Sequence, residues 1–133
     1  LSLYNYAKSN SLIKVLSSES FGKSFTYSLN DSTLTIIGTG QLDKFSIFQS
    51  SNLNKETIKT IILSDGITSI GNFAIQDYKS LKKIIFPCNI GIINQSAFSH
   101  CTLETVIFHN VGTICEHGFE YSKFNHFGKC KLY

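Results

Sequence analysis

Apolar positions between residues 58 and 124 recur in a fixed order. Ile58-x-x-Ile61-Ile62-Leu63 is followed by Leu81-x-x-Ile84-Ile85-Phe86 and then by Leu103-x-x-Val106-Ile107-Phe108. Each run leads to a second apolar pair (Ile67 and Ile70, Ile90 and Ile93, Val111 and Ile114). A small-plus-bulky pair comes next: Ala74-Ile75, Ala97-Phe98 and Gly118-Phe119. From Ile58 to Leu81 is 23 positions and from Leu81 to Leu103 is 22. Repeats of that length mark stacked architectures, in which no unit buries its apolar face without a neighbour. The period shortens only at His109-Asn110 and at Cys101-Thr102, between apolar anchors and at residues of turn-like composition. Anchors are kept while turns absorb the deletions, as a coiled solenoid requires. Residues 58–133 therefore read as three full coils and a partial fourth that begins with Phe124 and Phe127. In that fourth coil Lys129 stands where Leu63, Phe86 and Phe108 stood, and a buried charge is costly. An irregular strand or a cap is expected there, with Cys130 and Leu132 turned inward instead.

Ahead of the repeats, residues 1–57 read as an N-terminal segment. Leu12-Ile13-x-Val15-Leu16 fits a short helix or a strand equally well. Phe25-x-Tyr27-x-Leu29 alternates, Asn30-Asp31-Ser32 turns, and Thr33-Leu34-Thr35-Ile36-Ile37 alternates again, which predicts a β-hairpin. A solenoid needs its first open end covered, and the hairpin is placed to do that. Gly38-Thr39-Gly40 ends it, and a polar connector containing Phe45, Ile47 and Phe48 leads to the first coil.

These elements resemble the BspA-like leucine-rich-repeat proteins. The resemblance rests on Tyr27-Ser28-Leu29 with Thr33-Leu34-Thr35-Ile36-x-Gly38-Thr39-Gly40, on Ile67-Thr68-Ser69-Ile70-Gly71, and on Ser96-Ala97-Phe98-x-x-Cys101. It covers about residues 25–122. Ile75 replaces the Phe of the family pattern in the first coil, Tyr78 and Ser122 replace Cys, and the chain has no Trp. The resemblance implies a strand-dominated α/β leucine-rich-repeat solenoid with one short parallel strand per coil of 21–23 residues. In many members it implies display at the cell surface and adhesion to host or matrix proteins. It also implies that Cys101 points inward.

Strand alternation separates the two faces. With Ile61 and Leu63 inward, Thr60 and Ile62 face out. Carried across the coils, Ile62, Ile85 and Ile107 form one outward column, Thr60, Lys83 and Thr105 run beside it, and Ser64, Pro87 and His109 lie on the other flank. Strands about 4.8 Å apart bring the three isoleucines into one stripe on the expected concave face. An exposed apolar stripe signals binding, although β-branched residues also suit any strand position. The candidate ligand-binding residues are Ile62, Ile85, Ile107, Lys83, Thr105 and His109.

Composition narrows the function further. The 133 residues are 42% apolar, enough for one domain, and the net charge of +3 comes from 12 basic residues that are all Lys. They are dispersed apart from Lys82-Lys83, so the clustered Arg and Lys of a nucleic-acid binder are missing and no nucleic-acid partner is expected. There is no apolar run long enough for a membrane-spanning helix. The chain opens at Leu1 without the basic head and apolar run of a secretion signal.

Cys88, Cys101, Cys115 and Cys130 form no C-x-x-C. Free thiols, a disulfide among Cys88, Cys115 and Cys130, and a zinc site from Cys115, His117, His126 and Cys130 are the alternatives, free thiols foremost. Asn30-Asp31-Ser32 and Asn94-Gln95-Ser96 are glycosylation sequons that matter only in a secreted chain. The carboxylates occupy turn positions, no phosphate-cradling loop is present, and His100-Cys101 would point apart on a strand. No enzyme activity, cofactor or metal is expected. The reading is a non-catalytic repeat scaffold that binds a protein or glycan through its sheet, at the cell surface or secreted. The alternative is an intracellular scaffold subunit held inside a larger assembly.

Overall fold

The computed structural model describes residues 25–43, 53–120 and 122, together with the backbone of 126–128. The cluster at residues 12–16 and the connector residues Phe45, Ile47 and Phe48 lie outside them. Among the described residues ten strands are formed: β1 Phe25–Asn30, β2 Thr33–Gly38, β3 Gly40–Leu42, β4 Thr60–Leu63, β5 Ile67–Ile70, β6 Lys83–Ile85, β7 Asn89–Ile93, β8 Thr105–Ile107, β9 Asn110–Ile114 and β10 His126–Gly128. They make a six-stranded sheet ordered β1-β2-β4-β6-β8-β10 and a four-stranded sheet ordered β3-β5-β7-β9. One helical segment occurs among the described residues, a 3-10 turn at Lys55–Thr57 whose N-cap Asn54 accepts a hydrogen bond from the Glu56 N–H at 3.0 Å. The architecture is a strand-dominated solenoid.

The apolar anchors fix the register. Ile61 pairs with Ile84 and Ile84 with Val106, so each coil lays its central inward residue on that of the last. In β4 the exposure alternates as expected: Ile61 and Leu63 are buried, while Thr60 and Ile62 are half-buried on the outer face. In the second sheet Ile67, Ile70, Ile90 and Ile93 turn inward, and all four are buried. The third side of each coil is a turn carrying the small-plus-bulky pair. Ile75 N–H donates to Ala97 O at 2.8 Å and Phe98 N–H to Gly118 O at 2.9 Å, so the turns also stack on one another. Left-handed residues recur there: Phe73 (φ 57°), Ser96 (φ 54°) and His117 (φ 57°) at one corner, with Asp77 (φ 65°) and His100 (φ 60°) four positions further on in the first two turns. The corner needs that conformation whatever side chain stands at it.

The hairpin forms with Asn30 opposite Thr33 across the two-residue turn Asp31-Ser32. Its second strand does more than cover an end. β2 pairs with β4 in parallel, Leu34 on Ile61 and Ile36 on Leu63, and β3 pairs with β5, Leu42 on Ile70. Residues 33–42 thus fill the same places as the two strands of a coil, and β1 alone adds the antiparallel edge.

At the opposite end β10 pairs with β8 in parallel, His126 on Thr105, Phe127 on Val106 and Gly128 on Ile107. Over these three residues the backbone pairs in regular register, while the expectation of an irregular strand or a cap turned on residues further along. Lys129, Cys130 and Leu132 lie outside the described residues. Val111 and Ile114, expected inward, are less covered than their counterparts: Ile114 is 49% exposed although it pairs with Ile93, which is fully buried. β9 has no further strand against it among the described residues. An apolar pocket there is lined by Phe86, Ile93, Val106, Phe108, Val111, Ile114 and Phe119.

Phe98 sits at the centre of the core. It is fully buried, stands edge-on to Phe86 with ring centres 5.6 Å apart, and stacks on Phe119 at 5.1 Å. Replacing it with Ala removes contacts from two coils at once, so Phe98→Ala is expected to cost about 3–5 kcal/mol. Glu104 is exposed, and its ion pair with Lys82 is a loose 4.0 Å contact. Glu104→Ala is expected to stay within about 0.5 kcal/mol. Urea unfolding of the two variants checks this, and equal midpoints would contradict the core assignment.

Candidate functional site

The outer face of the six-stranded sheet is built from two columns of side chains. One runs Thr35, Ile62, Ile85, Ile107 in continuous parallel register, with Gly128 at its end. The other runs Thr33, Thr60, Lys83, Thr105. Each strand contributes to both columns because its residues two apart share a face. The three isoleucines are half-buried, shielded by their neighbours along the column and open toward solvent.

The third column, Ser64, Pro87 and His109, is different in character. Ser64 is buried, with its Oγ accepting from the Gly38 N–H at 3.2 Å, and Pro87 is buried as well. These residues stand where the chain turns from one sheet toward the other, which withdraws them from the face. His109 is half-buried, and its Nδ1 is shut off from solvent with no hydrogen-bond partner among the described residues. Of the six candidate residues, Ile62, Ile85, Ile107, Lys83 and Thr105 thus fall on two adjacent columns, with His109 at their flank.

Sequence reasoning missed how far the face extends. Thr33, Thr35 and Ile37 of β2 continue it, and Thr26 and Ser28 of β1 lie opposite Ile37 and Thr35. The available signal was the match of Thr33-Leu34-Thr35-Ile36 to Thr60-Ile61-Ile62-Leu63, hidden by a spacing of 27 rather than 22 or 23.

Charge is distributed unevenly over this surface. The outer columns hold Lys83 and no carboxylate, whereas Asp31, Asp65, Asp77, Glu116 and Glu120 lie in turns. Other lysines have contacts: Lys82 Nζ donates to Thr102 Oγ1 at 2.9 Å, and Lys55 Nζ lies 5.4 Å from the centre of the Tyr78 ring and donates to Gln76 O. Lys83 has neither an ion pair nor a side-chain hydrogen bond among the described residues.

The sequence of the "BspA type Leucine rich repeat region" family matches residues 13–125 in six copies. The chain belongs to that family. BspA-type repeats form scaffolds that typically lack catalysis, leucine-rich repeats generally mediate protein interactions, and BspA-like members commonly occur on bacterial surfaces or secreted. Among solved structures, a leucine-rich repeat protein from Eubacterium ventriosum is similar at 15% identity and a TM-score of 0.41. The similarity covers 77% of this chain and 41% of that one. A comparison with curated proteins gives no match.

The cysteines fit the BspA-type pattern. Cys88, Cys101 and Cys115 are free thiols, and Cys130 lies outside the described residues. Cys101 is fully buried, and its Sγ donates to Ile75 O at 3.0 Å. At the equivalent places Tyr78 fills the core with a larger ring, while Ser122 Oγ donates to Cys101 O at 2.8 Å and accepts from the Leu103 N–H. No group of three or more His, Cys, Asp or Glu is placed to hold a metal ion among the described residues. His117 instead lies between Glu116 and Glu120, at 3.0 and 3.5 Å. No described helix is long and apolar enough to cross a membrane.

The two sequons also separate. Asn30 is exposed at the hairpin turn, whereas the Asn94 side-chain amide donates to Ile70 O at 2.8 Å inside the stack.

Burial pushes the Cys101 thiol up to about 12, against a smaller downward pull from the Tyr78 backbone. An unfolded chain releases a cysteine proton near about pH 8.5. The stabilisation from this protonated thiol is therefore complete below that pH and is lost as pH rises toward the folded value. The Tyr78 hydroxyl, raised by the same burial, adds to the loss at still higher pH. The urea midpoint is expected to fall between about pH 8.5 and 11. At pH 8 iodoacetamide is expected to modify Cys88 and Cys115 well before Cys101, which peptide mass mapping reads directly.

Proposed function

We propose that this chain is a non-catalytic recognition module that binds a protein or glycan ligand on the outer face of its six-stranded sheet, in a surface-displayed or secreted setting. The observation that carries the reading is the unbroken register of Ile62, Ile85 and Ile107. Three branched apolar side chains stand on three consecutive parallel strands and keep an open side toward solvent. Ile61, Ile84, Ile70 and Ile93 are buried in the core, whereas these three are only half-buried. Contiguous apolar surface of this kind is stabilised when a partner removes it from water. Lys83 and Thr105 border the stripe on one side and His109 stands at its other flank, so the apolar centre has a polar rim, the usual anatomy of an interface.

A second reading draws on the cysteines. Cys88, Cys101 and Cys115 form no disulfide among the described residues, which suits a reducing compartment and a scaffold subunit held within a larger intracellular assembly.

The test is the triple variant Ile62→Thr, Ile85→Thr, Ile107→Thr. Thr keeps the β-branch that the strands favour, and the positions face away from the core, so the thermal midpoint is expected to stay close to wild type. Each Ile fully desolvated by a partner contributes about 1.5–3 kcal/mol, so binding is expected to weaken by about two orders of magnitude or more. A surface-binding assay on cells or matrix reads the loss. Unchanged binding by a folded triple variant would move the ligand site to the turns or the second sheet.

A further inference from the structure

The chemistry of the ligand can be read from the two columns together, an argument that rests on the recognition reading above. Strand residues two apart are about 6.7 Å from one another, so the apolar column and the hydroxyl-and-ammonium column run side by side at that spacing. An extended segment laid across the strands, between the columns, directs successive side chains alternately to the two sides. One side meets Ile62, Ile85 and Ile107. The other meets Thr60, Lys83 and Thr105.

Lys83 sets the charge. It is half-buried at the middle of its column, with Thr60 on one side and Thr105 on the other, and it has no carboxylate partner among the described residues. The Thr60 and Thr105 hydroxyls likewise make no hydrogen bond there. A partly desolvated cation without a partner gains most from an anionic group brought by a ligand, and the surrounding face carries no acid to compete for it. We infer that the site takes an extended polypeptide segment of alternating apolar and polar side chains, with an Asp or Glu seated on Lys83.

A defined probe tests this on the full chain. The peptide Val-Thr-Val-Glu-Val-Thr-Val, blocked at both ends, is titrated against the protein while NMR follows the Ile62, Ile85 and Ile107 methyl groups and the Lys83 side chain. Its counterpart carries Lys in place of Glu. The glutamate peptide is expected to shift both sets of signals saturably and to bind about three- to tenfold more tightly than the lysine peptide. In Lys83→Gln, whose outward position keeps the thermal midpoint unchanged, that preference is expected to vanish while the isoleucine shifts persist.

Equal binding of the two peptides with the isoleucine methyls shifted would overturn the inference and leave the apolar recognition surface standing, as would a preference that survives Lys83→Gln. Methyl groups that respond to neither peptide overturn the inference as well, and the triple-threonine variant then decides the recognition reading separately. A carboxylated oligosaccharide that shifts Lys83 while neither peptide does would replace the polypeptide with an anionic glycan.

Discussion

Everything in this fold depends on parallel register between coils. A backbone ladder of the Ile61–Ile84–Val106 kind can form only if each inward side chain lands on its counterpart one coil away. A slip of one residue would turn the whole apolar set outward. Register therefore joins two terms that are separate in most folds: satisfaction of backbone hydrogen bonds and burial of the core. Within the stack a coil is stabilised on both sides; at its end a coil lacks half of that cover. The contrast between buried Ile93 and half-exposed Ile114, paired residues in one column, shows the difference within one structure.

The sequence was legible where a periodic position had a periodic cause. Ile61, Ile84 and Val106 had to be inward because burial repeats with the coil, and the alternation then placed Ile62, Ile85 and Ile107 outward without reference to any contact. It was less legible where a position is set by the path of the chain. Ser64 and Pro87 share a repeat slot with His109 but are drawn under at the corner. Their burial follows from the turn between sheets, which no count of apolar residues encodes. The same holds for Thr33–Leu42, whose strands complete a coil although the spacing to the next coil is longer than the period. A longer connection leaves the register untouched, because the ladder constrains the strands and not the chain between them.

Corner positions show how little the side chain contributes in some places. Phe73, Ser96 and His117 share one left-handed conformation, and none is glycine. Each such residue costs roughly 1 kcal/mol or more, and the cost is met because the neighbouring backbone bonds, Phe73 N–H to Gln95 O and Ser96 N–H to Glu116 O, leave the turn no other path. Stacking of the turns therefore overrides local preference. The side chains at these corners differ in their surroundings, Phe73 being exposed on the turn and Ser96 buried, while the backbone conformation is the same.

The outer sheet face occupies the middle ground between core and corner. Its positions must favour an extended backbone, which β-branched residues do, yet nothing in the interior dictates which β-branched residue stands there. Thr and Ile satisfy the strand about equally, so a random mixture along both columns would have folded as well. The observed columns are not mixed: on β4, β6 and β8 the isoleucines fall in one and the threonines with Lys83 in the other. Strand propensity explains branching at these sites but not the sorting, and core packing does not reach them. A ligand whose two sides differ in polarity, as proposed for this face, would give that sorting a physical cause.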